Sequence, residues 1–238
     1  MTVDYRAMLD AASEPELAEF NSKLTPGKEG IRGVRIPVIR DIAKKVVKDD
    51  WTQILDSEPD GFEEEMLRGV VIATAPVTAE ERMALTEDFL RYVDNWATCD
   101  IFCNSWKFKK NEGDAVWDYF SGLIDSGEEY RMRVSLIARM SLFPDEGHCA
   151  LLLEDIATHD NPGYYYRMGA VVVSGVVMCA AWSVSMVYVK YPKMVEDLLR
   201  SGRMETWTHN KSIQKIRESR RVSKERKEEL NALRRRDP

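Results

Sequence analysis

Apolar residues recur at three- and four-residue spacing along almost the whole chain, and this limits the possible folds more than any other feature. Ile36, Ile39, Ile42, Ala43, Val46 and Val47 form one stripe. Pro37 suits the first turn of that helix, where a missing N–H costs nothing. Phe62, Met66, Val70 and Ala73 form the next stripe, closed by Pro76. Thr78, with Glu81 three residues on, is a capping-box pair. Met83, Leu85, Phe89, Leu90 and Val93 follow it. Later stripes run through Val116, Tyr119 and Phe120, through Val134, Ile137 and Ala138, and through Leu152 and Ile156. Val195, Leu198 and Leu199 make the last. Breaks at Thr25-Pro26-Gly27, Asp60-Gly61, Glu112-Gly113, Ser126-Gly127, Pro144-Asp145, Asn161-Pro162-Gly163 and Ser201-Gly202 leave about eleven or twelve segments of ordinary helix length. No strand pair stands out, and an all-β sandwich would need far more turn signals. The pattern predicts an all-α chain of helical hairpins stacked into a curved α-solenoid, one domain over residues 1–238. A compact irregular bundle is the alternative.

Between Arg167 and Lys190 lie 22 residues without a formal charge. That length can cross a bilayer. The stretch is rich in Ser and Gly, however, and sits alone within a soluble pattern, so a central helix covered by its neighbours is expected instead. No membrane partner is expected. The four cysteines, Cys99, Cys103, Cys149 and Cys179, are too few for a disulfide scaffold. The acid-bearing start lacks the basic, then apolar, pattern of a signal peptide, and the expectation is a reduced cytoplasmic protein.

Charge is unevenly spread. The net is −6. From Arg200 onward, thirteen Lys and Arg face six Asp and Glu, a local net of +7. Residues 28–48 carry a net of +5 from Lys28, Arg32, Arg35, Arg40, Lys44, Lys45 and Lys48 against Glu29 and Asp41. Binding a polyanion needs a local positive face rather than a positive total. Charge runs also simply keep helices solvated.

Few constellations carry chemistry. Cys99 and Cys103 share a helix face, but no further ligand is near in sequence, so no metal and no cofactor is expected. Gly27, Gly30 and Gly33, interleaved with Lys28, Arg32 and Arg35, form a loop ahead of the Pro37 helix. Its N–H groups suit a phosphate, and a flexible connector fits equally. In Asp94-Asn95-Trp96-Ala97-Thr98-Cys99-Asp100, Trp96 and Asp100 stand at i and i+4 on one helix face. A flat π surface beside a carboxylate can meet a cation or a sugar. The plainer alternative is a partly buried Trp and a capping or ion-paired Asp.

Taken in order, several stretches resemble the AlkD-like DNA alkylation repair glycosylases. They are Gly33-Val34-Arg35-Ile36-Pro37-Val38-Ile39-Arg40-Asp41-Ile42-Ala43-Lys44, then Asn95-Trp96-Ala97-Thr98-Cys99-Asp100, then Tyr130-Arg131-Met132-Arg133-Val134-Ser135. Tyr164-Tyr165-Tyr166-Arg167-Met168, Ala181-Trp182 and Tyr191-Pro192 continue the series, and Asn210-Lys211-Ser212-Ile213-Gln214-Lys215-Ile216-Arg217 ends it. The run from Ala170 to Cys179 reads as an insertion ahead of Trp182. The resemblance implies an all-α HEAT-like solenoid that binds duplex DNA and excises cationic alkylated purines, such as 3-methyladenine and 7-methylguanine, without flipping the base. It implies Asp100 as the catalytic carboxylate, Trp96 and Trp182 as the cradle for the lesion's backbone, and Arg133 as a phosphate contact.

The residue types suit such a reaction. An N-alkylated purine is already a good leaving group, so no general acid is required. The sugar becomes oxocarbenium-like, and a carboxylate stabilises that cation and positions water. Arg35, Arg40, Lys211, Lys215 and Arg217 are expected to share one positive DNA-binding surface. Two other readings remain open: a DNA-binding helical module without excision, and a protein-interaction scaffold.

Overall fold

The computed structural model describes residues 2–159 and 175–236. The described residues form thirteen α-helices and four short 3-10 turns, with no strand among them. The chain packs as two compact units, Met1–Tyr119 and Phe120–Pro238. The tyrosine motif at 164–168 and the first half of the 170–179 run lie outside the described residues.

In the first unit the helices are α1 (Tyr5–Ala11), α2 (Pro15–Leu24), α3 (Ile36–Lys48), α4 (Phe62–Thr74), α5 (Ala79–Phe89) and α6 (Trp96–Ser105), with α7 (Gly113–Gly122) at the division. Their starts follow from local chemistry. Pro15 and Pro37 occupy first turns. The Thr78 pair is a capping box as expected: Glu81 N donates to Thr78 Oγ1 at 3.2 Å, and Thr78 N donates to Glu81 Oε2 at 2.8 Å. Asn95 caps α6 by accepting from Thr98 N at 2.9 Å.

The α4 helix is the centre of this unit and packs on α3, α5 and α6. The stripe of Phe62, Met66, Val70 and Ala73 predicts one buried face, yet every residue from Phe62 to Ala73 is buried. Its polar residues are accommodated by specific partners. Arg68 donates to the Ser57 carbonyl and, at 3.3 Å, to Tyr92 Oη. At the far end of α4 the carbonyls have no helical donors left. Arg82 of α5 is buried there, donating to the carbonyls of Ile72, Ala75 and Lys107, with its guanidinium 5.3 Å from the Trp106 ring centre. On α3, Ile39, Ile42, Ala43 and Val46 are buried as the stripe predicts. Ile36 departs from it and is 38% exposed.

The second unit holds α8 (Glu129–Leu142), α9 (Glu146–His159), α10 (Gly175–Lys190), α11 (Pro192–Ser201), α12 (Thr206–Glu218) and α13 (Lys224–Asn231). Its central helix is α10, which packs on α8, α9, α11 and α12. No described helix is long and apolar enough to cross a membrane. Cys179, Ala180, Ala181, Ser183, Val184, Ser185, Val187 and Tyr188 are buried along α10. Trp182 and Met186, one turn apart, lie on a less covered face. The C-terminal segment is tied back to α12. His209 Nε2 lies 2.8 Å from the Leu233 carbonyl, and Asn210 exchanges two 2.9 Å hydrogen bonds with the Arg235 backbone. All four cysteines are buried and none forms a disulfide.

Candidate functional site

A cleft of about 530 Å³ opens in the first unit, walled by α2, the start of α3, α4 and α6. Its floor is apolar, built from Val34, Phe62, Met66 and Ile101. Arg35, Arg40, Trp96, Asp100 and Asn104 stand on its walls. The sequence explains the grouping on α6. Trp96 is its first residue, and Asp100 and Asn104 follow at successive turns, so all three share one face. Asn104 Nδ2 donates to the Asp100 carbonyl at 2.7 Å. The indole of Trp96 is 42% exposed, and its Nε1 donates to the Leu24 carbonyl at 3.1 Å. This bond spans from α6 to the last residue of α2 and ties the N–H edge of the ring to it. Leu24 and Ile36 are the other large apolar side chains left exposed on the rim. An apolar floor beside an aromatic face, a carboxylate and two guanidinium groups can hold a sugar or a flat ring while anionic groups lie alongside.

The loop of Gly27, Gly30 and Gly33 is partly satisfied from within the protein at its C-terminal end. The N–H groups of residues 32–34 already hold an anion, the buried carboxylate of Glu63. Arg32 N and Gly33 N donate to it at 2.8 Å each, and Val34 N at 3.2 Å. Gly33 has a positive φ and presses against the backbone of Glu14 and Ala18, where no side chain fits. The cations between the glycines are engaged as well. Arg32 pairs with Asp10 at 2.8 Å and Glu64 at 3.0 Å. Lys28 Nζ lies 2.7 Å from Glu65 and 2.8 Å from Asp94. Burial pushes the Glu65 carboxyl up to about 7, against the opposing pull of Lys28. The +5 segment therefore presents less free positive charge than its composition suggests. This acidic cluster, Glu63, Glu64 and Glu65, is the part of the site region that sequence reasoning missed. The available signal was its place in a helix's first turn, where the macrodipole favours acids.

The expected site residues fall into two sets. Trp96, Asp100, Arg35 and Arg40 are brought together at the cleft. Arg35 meets Glu14 through two 2.7 Å bonds, which hold the Glu14 carboxyl below its ordinary range. Arg40 is exposed and makes no ion pair among the described residues. Trp182, Arg133, Lys211, Lys215 and Arg217 belong to the second unit. Trp182 is half-buried on α10, and Arg133 is only 6% exposed on α8. Lys211 lies 5.8 Å from the Trp207 ring centre, Lys215 pairs with Glu218 at 3.0 Å, and Arg217 donates to Asn231 Oδ1 at 2.9 Å. No group of three or more His, Cys, Asp or Glu that could hold a metal occurs among the described residues.

Fold and cleft together define an all-helical protein with an aromatic–carboxylate pair set over an apolar cleft between arginines. Residues 5–159, more than half of the chain, match the family model described as DNA alkylation repair enzyme. The chain belongs to that family, and the matched span contains the whole cleft. Comparison with curated proteins finds no match. Comparison with solved structures finds none either.

Proposed function

We propose that this protein is a DNA glycosylase that excises cationic N-alkylated purines, of the 3-methyladenine and 7-methylguanine type, from duplex DNA without base flipping. The observation that carries this reading is the cleft, where Trp96 and Asp100 stand side by side within a chain of the alkylation repair family. In it, the Asp100 carboxylate faces the deoxyribose as the glycosidic bond breaks. The bond's electron pair leaves with the alkylated base, neutralising its charge, and the sugar becomes an oxocarbenium-like cation. Asp100 stabilises that cation and positions the water that adds to it. The Trp96 face covers the sugar and keeps bulk water away. Arg40 holds a neighbouring phosphate, and Arg35 joins it by exchanging Glu14 for DNA. No cofactor takes part. The helices are read as HEAT-like hairpins of a curved α-solenoid, with Trp182 as a second cradle wall and Lys211, Lys215 and Arg217 on the DNA-binding face.

Release of 7-methylguanine from methylated duplex DNA tests the reading, with wild type compared to Asp100→Asn. Release by wild type that collapses in the variant is the expected result. The burial of Arg133, only 6% exposed, counts against its phosphate contact in either reading, and the second reading is duplex binding without excision. Tight binding of methylated duplex with no base released by wild type would select it.

A further inference from the structure

We propose that Lys28 is a positioning residue for the Trp96–Asp100 pair: its ammonium joins the first turn of α4 to the cap of α6 and so fixes where the indole and the carboxylate stand. The consequence for excision rests on the function proposed above; the structural part does not.

A chain of hydrogen bonds makes the connection. Lys28 Nζ donates to Glu65 Oε1 at 2.7 Å and to both Asp94 oxygens, at 2.8 and 2.9 Å. Asn95 Nδ2 donates in turn to Asp94 Oδ1 at 2.9 Å and to Thr98 Oγ1 at 3.0 Å. Asn95 Oδ1 accepts from Thr98 N and closes the cap. Trp96 is the next residue, and Asp100 lies one turn further on. The backbone of Lys28 acts on the same group from the other side. Its N–H donates to the Thr25 carbonyl at 3.1 Å, closing the turn that follows Leu24, the acceptor of the Trp96 indole. One residue thus holds both the helix that carries the indole and the turn that receives its hydrogen bond.

Burial makes this hold consequential. The side chains of Lys28 and Glu65 are each 12% exposed, so the pair is shielded from the screening that weakens surface pairs. Removing the ammonium would leave the buried Glu65 to take up a proton and Asp94 without its cation, so that nothing would draw the cap of α6 toward α4. The cap of α6 is the part free to yield, because Asp94 is 60% exposed while Glu65 is seated in α4.

The test uses Lys28→Met, Asp94→Ala and the conservative Lys28→Arg. The readout is the Trp96 indole N–H resonance in NMR spectra, identified by its loss in Trp96→Phe, together with its exchange with water. Lys28→Met and Asp94→Ala are expected to shift the resonance and speed its exchange, and Lys28→Arg to restore it. Single-turnover excision at saturating methylated duplex should fall about tenfold in the first two, less than the roughly hundredfold cost of a 1 Å misplacement. Affinity for undamaged duplex should change by less than about twofold, since these variants remove no phosphate contact. Should Lys28→Met fail to fold, Asp94→Ala decides the matter, since its side chain is largely in solvent. An unmoved indole signal in folded Asp94→Ala overturns the proposal whatever the excision rate. A responsive indole in a protein that excises nothing upholds the positioning role and overturns only the glycosylase reading.

Discussion

At Asp100, substitution by asparagine separates charge from shape. The amide keeps the size and much of the hydrogen bonding, but the developing cation loses its counterion. Excision should fall by roughly 10²–10³, the scale of losing one electrostatic stabiliser. DNA affinity should hold or rise, because a carboxylate repels phosphate. Trp96→Ala should weaken both, since it removes cleft wall and the bond to the Leu24 carbonyl. Single-turnover assays and thermal melts on the same samples check these outcomes. A destabilised Asp100→Asn with unchanged excision per folded molecule would remove Asp100 from the chemistry. Glu65 is expected to act on stability instead. Its carboxyl titrates at about 7 in the folded protein, because burial disfavours the charge, and near 4.3 when unfolded. Between those values the folded form keeps a proton that the unfolded form has given up. The stability from this group is therefore full below about pH 4.3 and lost as pH rises through about 7. Glu65→Gln cannot titrate, so its melting temperature should gain on wild type from pH 5 to about 7 and then level off. A gap that is flat with pH would contradict this.

Among the elements, the α2–α3 loop is held by backbone contacts, and two glycines distinguish that from mere turn freedom. Gly127 has a positive φ with open space around it, so Gly127→Ala should cost about 1 kcal/mol, the penalty for a side chain in the left-handed region. Gly33 has a similar φ but packs directly on the α2 backbone. Gly33→Ala must also displace α2, which forms one wall of the cleft, and should cost clearly more. Urea midpoints of the two variants check the order. At the start of α5, Thr78→Ala removes the capping box and should cost about 1 kcal/mol, with little effect on DNA binding.

For the molecule as a whole, the question is where a chain of net charge −6 keeps its free cations. In the first unit, Lys28, Arg32 and Arg35 are matched to carboxylates, and Arg40 is left open. In the second, Lys215 and Arg226 are paired, while Arg220, Arg221, Lys224 and Lys227 are surface groups with no ion pair among the described residues. Binding to undamaged duplex should weaken steeply with salt as counterions are released. Lys224→Ala with Lys227→Ala should lower the log–log salt slope by about one for each phosphate that the protein no longer neutralises, and Lys215→Ala by less. Anisotropy titrations from about 50 to 200 mM salt measure it. A slope unchanged by the double variant would place DNA elsewhere.

Much of this was legible in the sequence because it depends on neighbours. Helix stripes, the Thr78–Glu81 box and the placing of Trp96 and Asp100 on one face all follow from spacings of three and four residues. Tertiary structure decided the rest. Glu63 meets the backbone of residues 32–34 from about thirty positions away, and Lys28 meets Asp94 across 66. No local pattern shows that three consecutive glutamates are buried, that the end of a basic glycine loop is already satisfied, or that Ile36 and Leu24 rim a cleft. Those outcomes depend on which distant charges and apolar faces the packing brings within a few ångströms, where a buried carboxylate is stable only if such partners arrive.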